Sequence, residues 1–285
     1  MSLLAFCSAY WLAAALALVP GLHRGLAHGA VRFRFGFGRL LSAIALPAGT
    51  PLQWVATHRR HHACADGPGD PHSPWLGGFW HAHCGWYLGT DRPAICLAYA
   101  LGGPLRMTWD AWHRPRTNQQ FNHLAQDVAA DPFLALLSRP RPYALGMAAH
   151  ILVPFGFAWA CWGASGVAAL WATSILIYNS GDAINSLGHL WGDSAPGAPS
   201  QARNHPLLAL IGFGDGWHAS HHRFPGKARA GLEGRFDAGW TAIRWLRRVG
   251  LAGQVRILDP GGDAAWATKP EVGAASEQRS ASASA

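Results

Sequence analysis

Residues 214–225 read Gly-Asp-Gly-Trp-His-Ala-Ser-His-His-Arg-Phe-Pro and contain the pattern HxxHH. The pattern occurs once more at His58-Arg59-Arg60-His61-His62. On a helix, positions i, i+3 and i+4 share one face, so each box directs three imidazoles towards one place. Neutral imidazole is a ligand for iron, zinc, copper and nickel. Six converging imidazoles exceed what one four-coordinate structural zinc uses, and we therefore expect a site with more than one metal ion.

Two further segments add candidate ligands. His23 and His28 form HxxxxH, a spacing of about 140° around an α-helix, which is a weak signal by itself. Asn185 precedes His189 by one helical turn, on the same face. Chance is the alternative interpretation, but histidine makes up only 16 of 285 residues, so two accidental HxxHH boxes are rare. Four segments thus supply nine candidate histidines: His23, His28, His58, His61, His62, His189, His218, His221 and His222.

Composition and charge indicate a membrane protein. Half of the residues are hydrophobic and 13% are charged, against about 25% charged in soluble domains. The formal charge of +8 is compatible with nucleic acid or with an anionic membrane face. Segments 1–22 and 142–188 contain no Lys or Arg and are the apolar ones. Basic residues confined to the remaining segments follow the positive-inside pattern, so nucleic-acid binding is not expected.

The same pattern predicts an all-α fold: an integral membrane helical bundle with a cytoplasmic histidine-rich cap. One span is expected in 3–22, and a helical hairpin in 143–187 that turns at 163–166. Residues 104–141 are expected to be polar and to face solvent. We expect one domain over residues 1–267 and a disordered, low-complexity tail over 268–285.

An imidazole-only ligand set with open positions and no cysteine favours redox iron over a closed zinc site. On the predicted topology all nine histidines meet at one face of the membrane. A site at the membrane surface suits a substrate whose tail is lipid-soluble and whose head stays in water.

The chain resembles the membrane-bound fatty acyl desaturases of the bacterial delta-9 type over most of residues 19–258. The motifs that carry the resemblance are His-Arg-Gly-Leu-Ala-His (23–28), Gln-Trp-Val-Ala-Thr-His-Arg-Arg-His-His (53–62), Asp-Pro-His-Ser-Pro (70–74), Ala-Asp-Pro-Phe (130–133), Asn-Ser-Leu-Gly-His-Leu-Trp-Gly (185–192) and the segment 214–225.

The resemblance implies two iron ions held by the nine histidines, with Asn185 holding a water in place of a tenth ligand. It implies dioxygen as co-substrate and a fatty acyl substrate attached to coenzyme A, carrier protein or lipid. It also implies an external ferredoxin or cytochrome with its reductase as electron donor. The expected location is a bacterial inner membrane with the site on the cytoplasmic face.

Asp66, Asp70 and Asp215 are our candidates for carboxylates that orient the imidazoles by accepting hydrogen bonds from their other nitrogen. The alternative is that they are ordinary turn aspartates.

Two departures from the family pattern stand out. The family usually has two spans before the first histidine box, and one precedes it here. The residues that line the kink of the family's acyl tunnel match Ala48, Trp54, Gly181 and Asp182, of which only Trp54 is kept. Loss of bulk should widen the tunnel, while a carboxylate at 182 is costly unless it is paired, hydrated or protonated. The alternative is that Asp182 turns away from the tunnel.

The sequence leaves three functions open. The first is an oxygen-dependent di-iron desaturase of a fatty acyl or similar aliphatic chain. The second is a hydroxylase or acetylenase on the same scaffold, acting on a non-standard lipid substrate. The third, of another class, is a non-catalytic membrane metal carrier, although transporters place their ligands at the membrane midplane between spans.

Overall fold

A computed structural model describes residues 1–194, 200–232, 234–258 and 264–267. The predicted disordered tail, 268–285, lies outside these residues, and its boundary with the domain 1–267 stays a prediction.

The described chain is mostly helical. Its helices are α1 (Leu3–Leu16, continued by a π-helix, Ala17–Ala27), α2 (Phe37–Ile44), α3 (Pro51–Cys64), α4 (Pro74–Trp80, followed by a π-helix, His81–Gly85), α5 (Trp86–Leu88), α6 (Pro93–Ala100), α7 (Leu105–His113), α8 (Gln126–Ala130), α9 (Pro132–Leu137), α10 (Pro140–Leu190), α11 (Pro206–Ile211), α12 (His218–Arg223) and α13 (Ala238–Arg248). Short 3-10 helices cover Leu46–Ala48, Arg114–Arg116 and Gln119–Ala125.

Helix α10 is 51 residues long and is broken at Gly163, whose φ of 59° and ψ of −143° are not helical. Such a backbone conformation is open to glycine and closed to most L-residues. Tyr143 and Met147 from the first half pack against Tyr178 from the second half. The chain therefore returns on itself, and the predicted hairpin turns at Gly163.

Two long helices are apolar enough to cross a membrane, Leu3–Ala27 and Pro140–Leu190. They pack together, since Phe6 contacts Phe157 and Trp162 at ring-centroid distances of 5.3 Å. Large apolar side chains on α10 point outwards, among them Leu145, which is 73% exposed, and Leu152, which is 70% exposed. Length and composition alone are weak support for membrane association, but an outward apolar surface of this kind fits a lipid environment.

A small antiparallel sheet corrects the all-α expectation. Its strands are β1 (Val31–Phe33), β2 (Ala252–Leu258) and β3 (Ala264–Ala267), in the order β1-β2-β3. Val31 pairs with Val255, and both are buried against Ile243 and Leu246 of the amphipathic helix α13. Because the pairing joins residues more than 200 positions apart, the local pattern of the sequence did not reveal it.

The expectation for residues 104–141 was also wrong in part. Arg106, Asp110 and Arg114 are each at most 4% exposed. Arg106 and Asp110 are one turn apart on α7, and Arg114 follows by another turn, so the three charged groups share one face. That face is turned into the protein, against α10.

Candidate metal centre

The first histidine pair lies on the π-helix that continues α1. Its backbone bonds run from residue i+5 to residue i, as from the His28 amide to the His23 carbonyl at 3.2 Å. In this geometry positions five apart come close to one face, whereas an α-helix would separate them by about 140°. The two imidazole centroids are 5.0 Å apart. The π-helix thus brings together a pair that α-helical spacing would separate.

The second box is the last part of α3, whose first turn is capped by the Thr50 hydroxyl, the acceptor for the Gln53 amide. His58, His61 and His62 lie on one face of this helix, as the i, i+3, i+4 spacing predicts. Trp54, one turn earlier, stacks on His58 at 4.9 Å. The helix therefore presents three imidazoles and one indole towards the same interior space.

His189 and α12 complete the set. His189 lies at the end of α10 and is fully buried. The turn before α12 needs glycine at 216, because an added Cβ would lie 2.0 Å from the Ala209 backbone nitrogen. This close approach brings His218, His221 and His222 to face the other histidines, and all three are at most 4% exposed.

The nine histidines form two groups whose ligand nitrogens lie within 4.8 Å of one another. Five of them form the first group and four form the second: His23, His28, His58, His62 and His221; and His61, His189, His218 and His222. Their Nε2 atoms face each other in the pairs His23–His221 (3.0 Å), His28–His58 (2.8 Å), His62–His221 (3.1 Å), His61–His222 (3.3 Å), His218–His222 (3.2 Å) and His189–His218 (2.9 Å). Two ligands at right angles around a metal, each about 2.1 Å from it, are separated by about 3.0 Å. The spacing of the nitrogens therefore fits metal coordination.

Counting protons gives an independent test in the group of four. The Nδ1 of His61 lies 2.9 Å from Asp70, and the Nδ1 of His189 lies 2.9 Å from Asp66. A neutral imidazole carries one N–H. When that N–H is given to a carboxylate, the Nε2 atoms of His61 and His189 keep only lone pairs. His218 and His222 then offer at most two N–H groups for three Nε2 contacts, so at least one contact joins two lone pairs or two N–H groups. A cation between the nitrogens removes this repulsion, and the residues present fit a bound metal.

The three predicted carboxylates all lie against candidate ligands. Asp66 and Asp70 contact His189 and His61 as described, and the Oδ2 of Asp215 lies 2.7 Å from the Nδ1 of His23. Asp215 also accepts a hydrogen bond from Arg24 at 3.3 Å. Although burial opposes ionisation, His23 and Arg24 hold the pKa of Asp215 below its ordinary value. A charged carboxylate at this position fixes the ring of His23 and leaves its Nε2 free to bind a metal.

The electrostatics keep seven of the nine imidazoles neutral, those of His28, His58, His61, His62, His218, His221 and His222. Burial, followed by the neighbouring imidazoles, lowers the pKa of His58, His61 and His221 well below the ordinary value. The same causes lower the pKa of His62 to about 3. Burial disfavours the charged form of a base, and neutral imidazole is the form that binds a metal. At neutral pH these rings are therefore in the form that binds a cation.

A cavity of about 520 Å³ adjoins the two groups. It is mainly apolar, with small side chains of α1 and α10 along its length. All four positions predicted for a substrate channel line it: Ala48, Trp54, Gly181 and Asp182. Asn185, half-buried and one turn before His189, lines it as well. The imidazoles of His23, His58, His61 and His218 are also part of the wall.

Asp182 lines this cavity and is paired. It accepts a hydrogen bond from the Tyr87 hydroxyl at 2.9 Å and one from the Arg106 Nη1 at 3.1 Å. Neither backbone nor metal-site water has to satisfy it. The ion pair offsets the cost of a carboxylate beside an apolar space.

Several residues of the site escaped the sequence analysis. His72 stacks on His61 at 4.1 Å and also lines the cavity. In the sequence, the sign that His72 belongs to the site was its position in the motif Asp-Pro-His-Ser-Pro (70–74). Trp86, Tyr87, Arg106 and Arg114 line the cavity too. The spacing of Arg106, Asp110 and Arg114 is a helical signal for one charged face, but the sequence does not tell whether such a face is exposed or buried.

Similarity to known proteins extends over most of the chain. A family model described as "Fatty acid desaturase" matches residues 2–233. The palmitoyl-monogalactosyldiacylglycerol delta-7 desaturase of Arabidopsis thaliana is 31% identical over 85% of this chain and 58% of its own length. The icosanoyl-CoA 5-desaturase of Limnanthes douglasii is 32% identical over 82% of this chain and 59% of its own length. The hex-5-enoyl-[acyl-carrier protein] acetylenase of Moorena producens is 27% identical over 87% of this chain and 74% of its own length. This chain thus spans less than two thirds of the length of the first two relatives.

Proposed function

The chain belongs to the fatty acid desaturase family, and from this premise we propose that it is an oxygen-dependent di-iron desaturase of a fatty acyl or similar aliphatic chain. One observation carries the proposal. Two groups of buried or half-buried imidazoles, with five and four members, lie side by side against one mainly apolar cavity. The two histidine groups supply two metal sites, and the cavity supplies a space that an aliphatic chain can occupy.

In this proposal His23, His28, His58, His62 and His221 hold one iron, and His61, His189, His218 and His222 hold the other. Asn185 holds a water beside the second group. When bound, the two irons supply the oxidising chemistry, with dioxygen as co-substrate and electrons from an external ferredoxin or cytochrome with its reductase.

The protein's own residues do the positioning. Asp66, Asp70 and Asp215 keep the rings of His189, His61 and His23 turned with Nε2 towards the metal. Trp54 stacks on His58 and forms a rigid part of the wall where the chain passes the imidazoles. Ala48 and Gly181 also line the cavity here, and their small size leaves the cavity wide at this point. The mainly apolar cavity keeps bulk water away from the reacting methylenes.

We further propose that the two long helices cross a bacterial inner membrane and that the histidine groups form a cap on its cytoplasmic face. The acyl tail then enters from the lipid, while its head, attached to coenzyme A, carrier protein or lipid, stays in water. The relatives include an acyl-CoA desaturase and an acyl-carrier-protein acetylenase, which supports a fatty acyl substrate without selecting the carrier.

The test combines metal analysis with product analysis. Protein purified in detergent should hold about two irons per chain, and membranes of cells that express it should contain acyl chains that have lost two hydrogen atoms in an oxygen-dependent manner. His221→Ala should abolish both properties, because His221 contacts His23 and His62 in the five-membered group. His123→Ala is the matched control, since His123 is exposed and lies outside both groups. Full activity of His221→Ala would refute the assignment.

A second reaction on the same scaffold is acetylenic bond formation or hydroxylation. The similarity to an acetylenase supports acetylenic bond formation as the second candidate reaction. Product mass separates the reactions: an acetylenase removes two further hydrogen atoms from an alkene, and a hydroxylase adds one oxygen atom. A non-catalytic metal carrier would bind metal and leave every acyl chain unchanged.

A further inference from the structure

Helices α6 and α7 bury their charged side chains and expose their apolar ones. Arg106 and Asp110 of α7 are at most 4% exposed. Six large apolar side chains of the segment are 44–66% exposed instead, and we call them the outer face: Ile95, Leu97, Leu101, Leu105, Trp109 and Trp112. The structure describes residues 93–112 throughout, and the other exposed side chains in this range are Pro93, Ala94, Ala98 and Thr108. The exposed side of both helices therefore carries no charge.

The two helices form a hairpin that turns at residues 101–104. The Tyr99 hydroxyl of α6 donates a hydrogen bond to Asp110 of α7 at 2.6 Å. Gly103 lies in the turn with a φ of +51°, and an added Cβ would lie 2.6 Å from the Nε1 of Trp171. The Trp171 indole N–H also donates to the Leu101 carbonyl at 3.4 Å. The turn therefore rests directly on the second arm of α10.

The turn lies far from the histidine groups along α10. An α-helix rises about 1.5 Å per residue, which places Trp171 about 27 Å from His189 along the axis. The hydrocarbon core of a bilayer is about 30 Å thick. With His189 at the cytoplasmic face, as proposed above, the turn lies deep in the hydrocarbon. Leu176, on the same arm of α10, is itself 48% exposed, so the outer face continues the apolar surface of α10 at this level.

The polar groups of the hairpin are satisfied by protein where lipid would leave them without partners. Helices α6 and α7 have 8 and 9 residues, too few to cross a bilayer. A segment that turns at membrane depth is tolerated where its irregular backbone is buried in protein, and Gly103 and Pro104 are buried. The Ala100 carbonyl accepts a hydrogen bond from the Asn179 amide at 2.9 Å. The Thr108 hydroxyl donates to the carbonyl of Leu105 within α7.

The buried charges fit the same surroundings. Arg106 forms an ion pair with Asp182 of α10 at 3.1 Å. Charged side chains at membrane depth face the interior of the helix bundle and are paired there. Water would favour the opposite arrangement, with the charges exposed and the outer face buried. The distribution of charge therefore selects lipid over water as the environment of the outer face.

The two ends of the hairpin carry the residues of a membrane interface. Arg92 precedes α6, Arg116 follows α7 at the end of a short 3-10 helix, and both are exposed. The Arg116 guanidinium stacks on Trp112, 3.8 Å from the ring centroid. Tryptophan and basic side chains are typical of the headgroup zone, so both ends suit the surface while the turn suits the hydrocarbon.

We propose that residues 93–113 form a re-entrant hairpin, which enters the bilayer from the face that carries the histidine groups and places the outer face against lipid acyl tails. The inference rests on the proposed function, because it takes over the proposed position of α10 in the membrane. Arg106, on the inner side of the hairpin, lines the cavity. The hairpin is therefore a wall between the acyl cavity and the surrounding lipid.

Site-directed fluorescence measures the depth of the outer face. Replacing Cys7, Cys64 and Cys161 by alanine leaves only the buried Cys84 and Cys96. In this background a single bimane label is attached through Leu101→Cys or Trp112→Cys, and the full chain is reconstituted into vesicles of phosphatidylethanolamine and phosphatidylglycerol. The quenchers are aqueous iodide and lipids that carry a nitroxide either near the glycerol or near the middle of the acyl chain.

The label of Leu101→Cys should lose most fluorescence to the mid-chain nitroxide, and the loss should equal that of Leu152→Cys on α10. The label of Trp112→Cys should lose more to the shallow nitroxide, because it lies near the end of the hairpin. Iodide should leave Leu101→Cys unchanged. Gln120→Cys, at an exposed position outside the hairpin, is the control that iodide quenches and the nitroxide lipids do not.

Three outcomes at Leu101→Cys would overturn the inference. Quenching by iodide would place the outer face in water, and quenching by the shallow nitroxide alone would describe a hairpin that lies flat on the membrane. Protection from every quencher would show that protein, such as a second copy of the chain, covers the face.

Leu152→Cys separates the hairpin from the proposed function. Mid-chain quenching of Leu152→Cys but not of Leu101→Cys keeps the proposed topology and removes the hairpin. Absence of such quenching at both positions removes the topology and the hairpin together. Iron content and product formation of the unlabelled chain test the desaturase reaction independently of either label.

Discussion

His61 and His189 show how one hydrogen bond prepares an imidazole for a metal. Each ring donates a hydrogen bond from Nδ1 to a carboxylate, His61 to Asp70 and His189 to Asp66, and its Nε2 faces other histidines. His23 repeats the arrangement with Asp215. If these rings bind a metal, as we propose, the carboxylates have already set their orientation, which lowers the cost of binding.

Asp215→Asn should weaken metal binding. The amide can still occupy the space, but it cannot hold the His23 proton as a charged acceptor does. We expect the affinity of the five-histidine group for iron to fall about 10–100-fold, the usual effect of removing such a partner. Competition titration with a chelator measures it. Asp193→Asn, at an exposed position, is the control, and an unchanged affinity of Asp215→Asn would show that Asp215 is only a turn residue.

Stability of the metal-free protein should fall in mild acid. The pKa of His62 is about 3 in the folded state, against about 6.5 in an unfolded chain. Between these values the unfolded state binds a proton that the folded state does not, so the free energy of unfolding decreases as the pH decreases. Each such histidine contributes up to about 1.4 kcal/mol per pH unit.

Thermal unfolding of the metal-free protein in detergent at pH 7.5 and 5.5 measures this effect. The Tm should be lower at pH 5.5, and His62→Gln should narrow the difference because one titrating ring is gone. A Tm that rises between pH 7.5 and 5.5 would contradict the assignment of buried neutral rings.

Two backbone irregularities in long helices place the site. The π-helix Ala17–Ala27 accommodates Pro20, which has no N–H to donate, and turns His23 and His28 to one face. The break at Gly163 lets one apolar segment form both arms of a hairpin. The second arm ends near His189, so the break also determines where this candidate ligand lies.

Gly163→Ala should destabilise the protein. An added Cβ would meet no atom within 4 Å, but φ is +59°, and a non-glycine residue in such a conformation costs about 1–3 kcal/mol. Gly156→Ala is a matched control in the same helix, since space is also free there and the backbone is helical. We expect a lower Tm for Gly163→Ala and an equal or higher Tm for Gly156→Ala. Equal behaviour of the two variants would show that the break does not depend on glycine.

The molecule as a unit combines an apolar outer surface with a polar interior at one end. Leu145, Leu152 and Trp159 are more than 60% exposed on α10, while the imidazoles of the two histidine groups are buried or half-buried. This distribution is the reverse of a soluble protein and fits a bundle in lipid whose histidine groups lie at the ends of the apolar helices.

Membrane insertion can be tested directly. The chain should remain in the membrane fraction after alkaline carbonate extraction. Leu152→Arg together with Trp159→Arg should reduce that fraction, because an arginine at the centre of a span costs about 2.5–3.5 kcal/mol. Phe236→Arg is the control, as Phe236 is equally exposed but lies outside the long apolar helices. Complete extraction of the unchanged chain would refute the proposed topology.

The sequence alone was sufficient for the interactions that act within one element. The HxxHH spacing placed six imidazoles on two helical faces, and the apolar segment 143–187 with its glycines predicted a hairpin, because helical geometry relates residues that are near in the chain. Only the tertiary structure showed the division of the nine histidines into groups of five and four, the pairing of each carboxylate with its imidazole, the strand pairing of Val31 with Val255, and the burial of Arg106 and Arg114 beside the cavity. These features join residues that are far apart in the chain. Their contacts depend on the packing of several elements at once, which no local pattern of residues encodes.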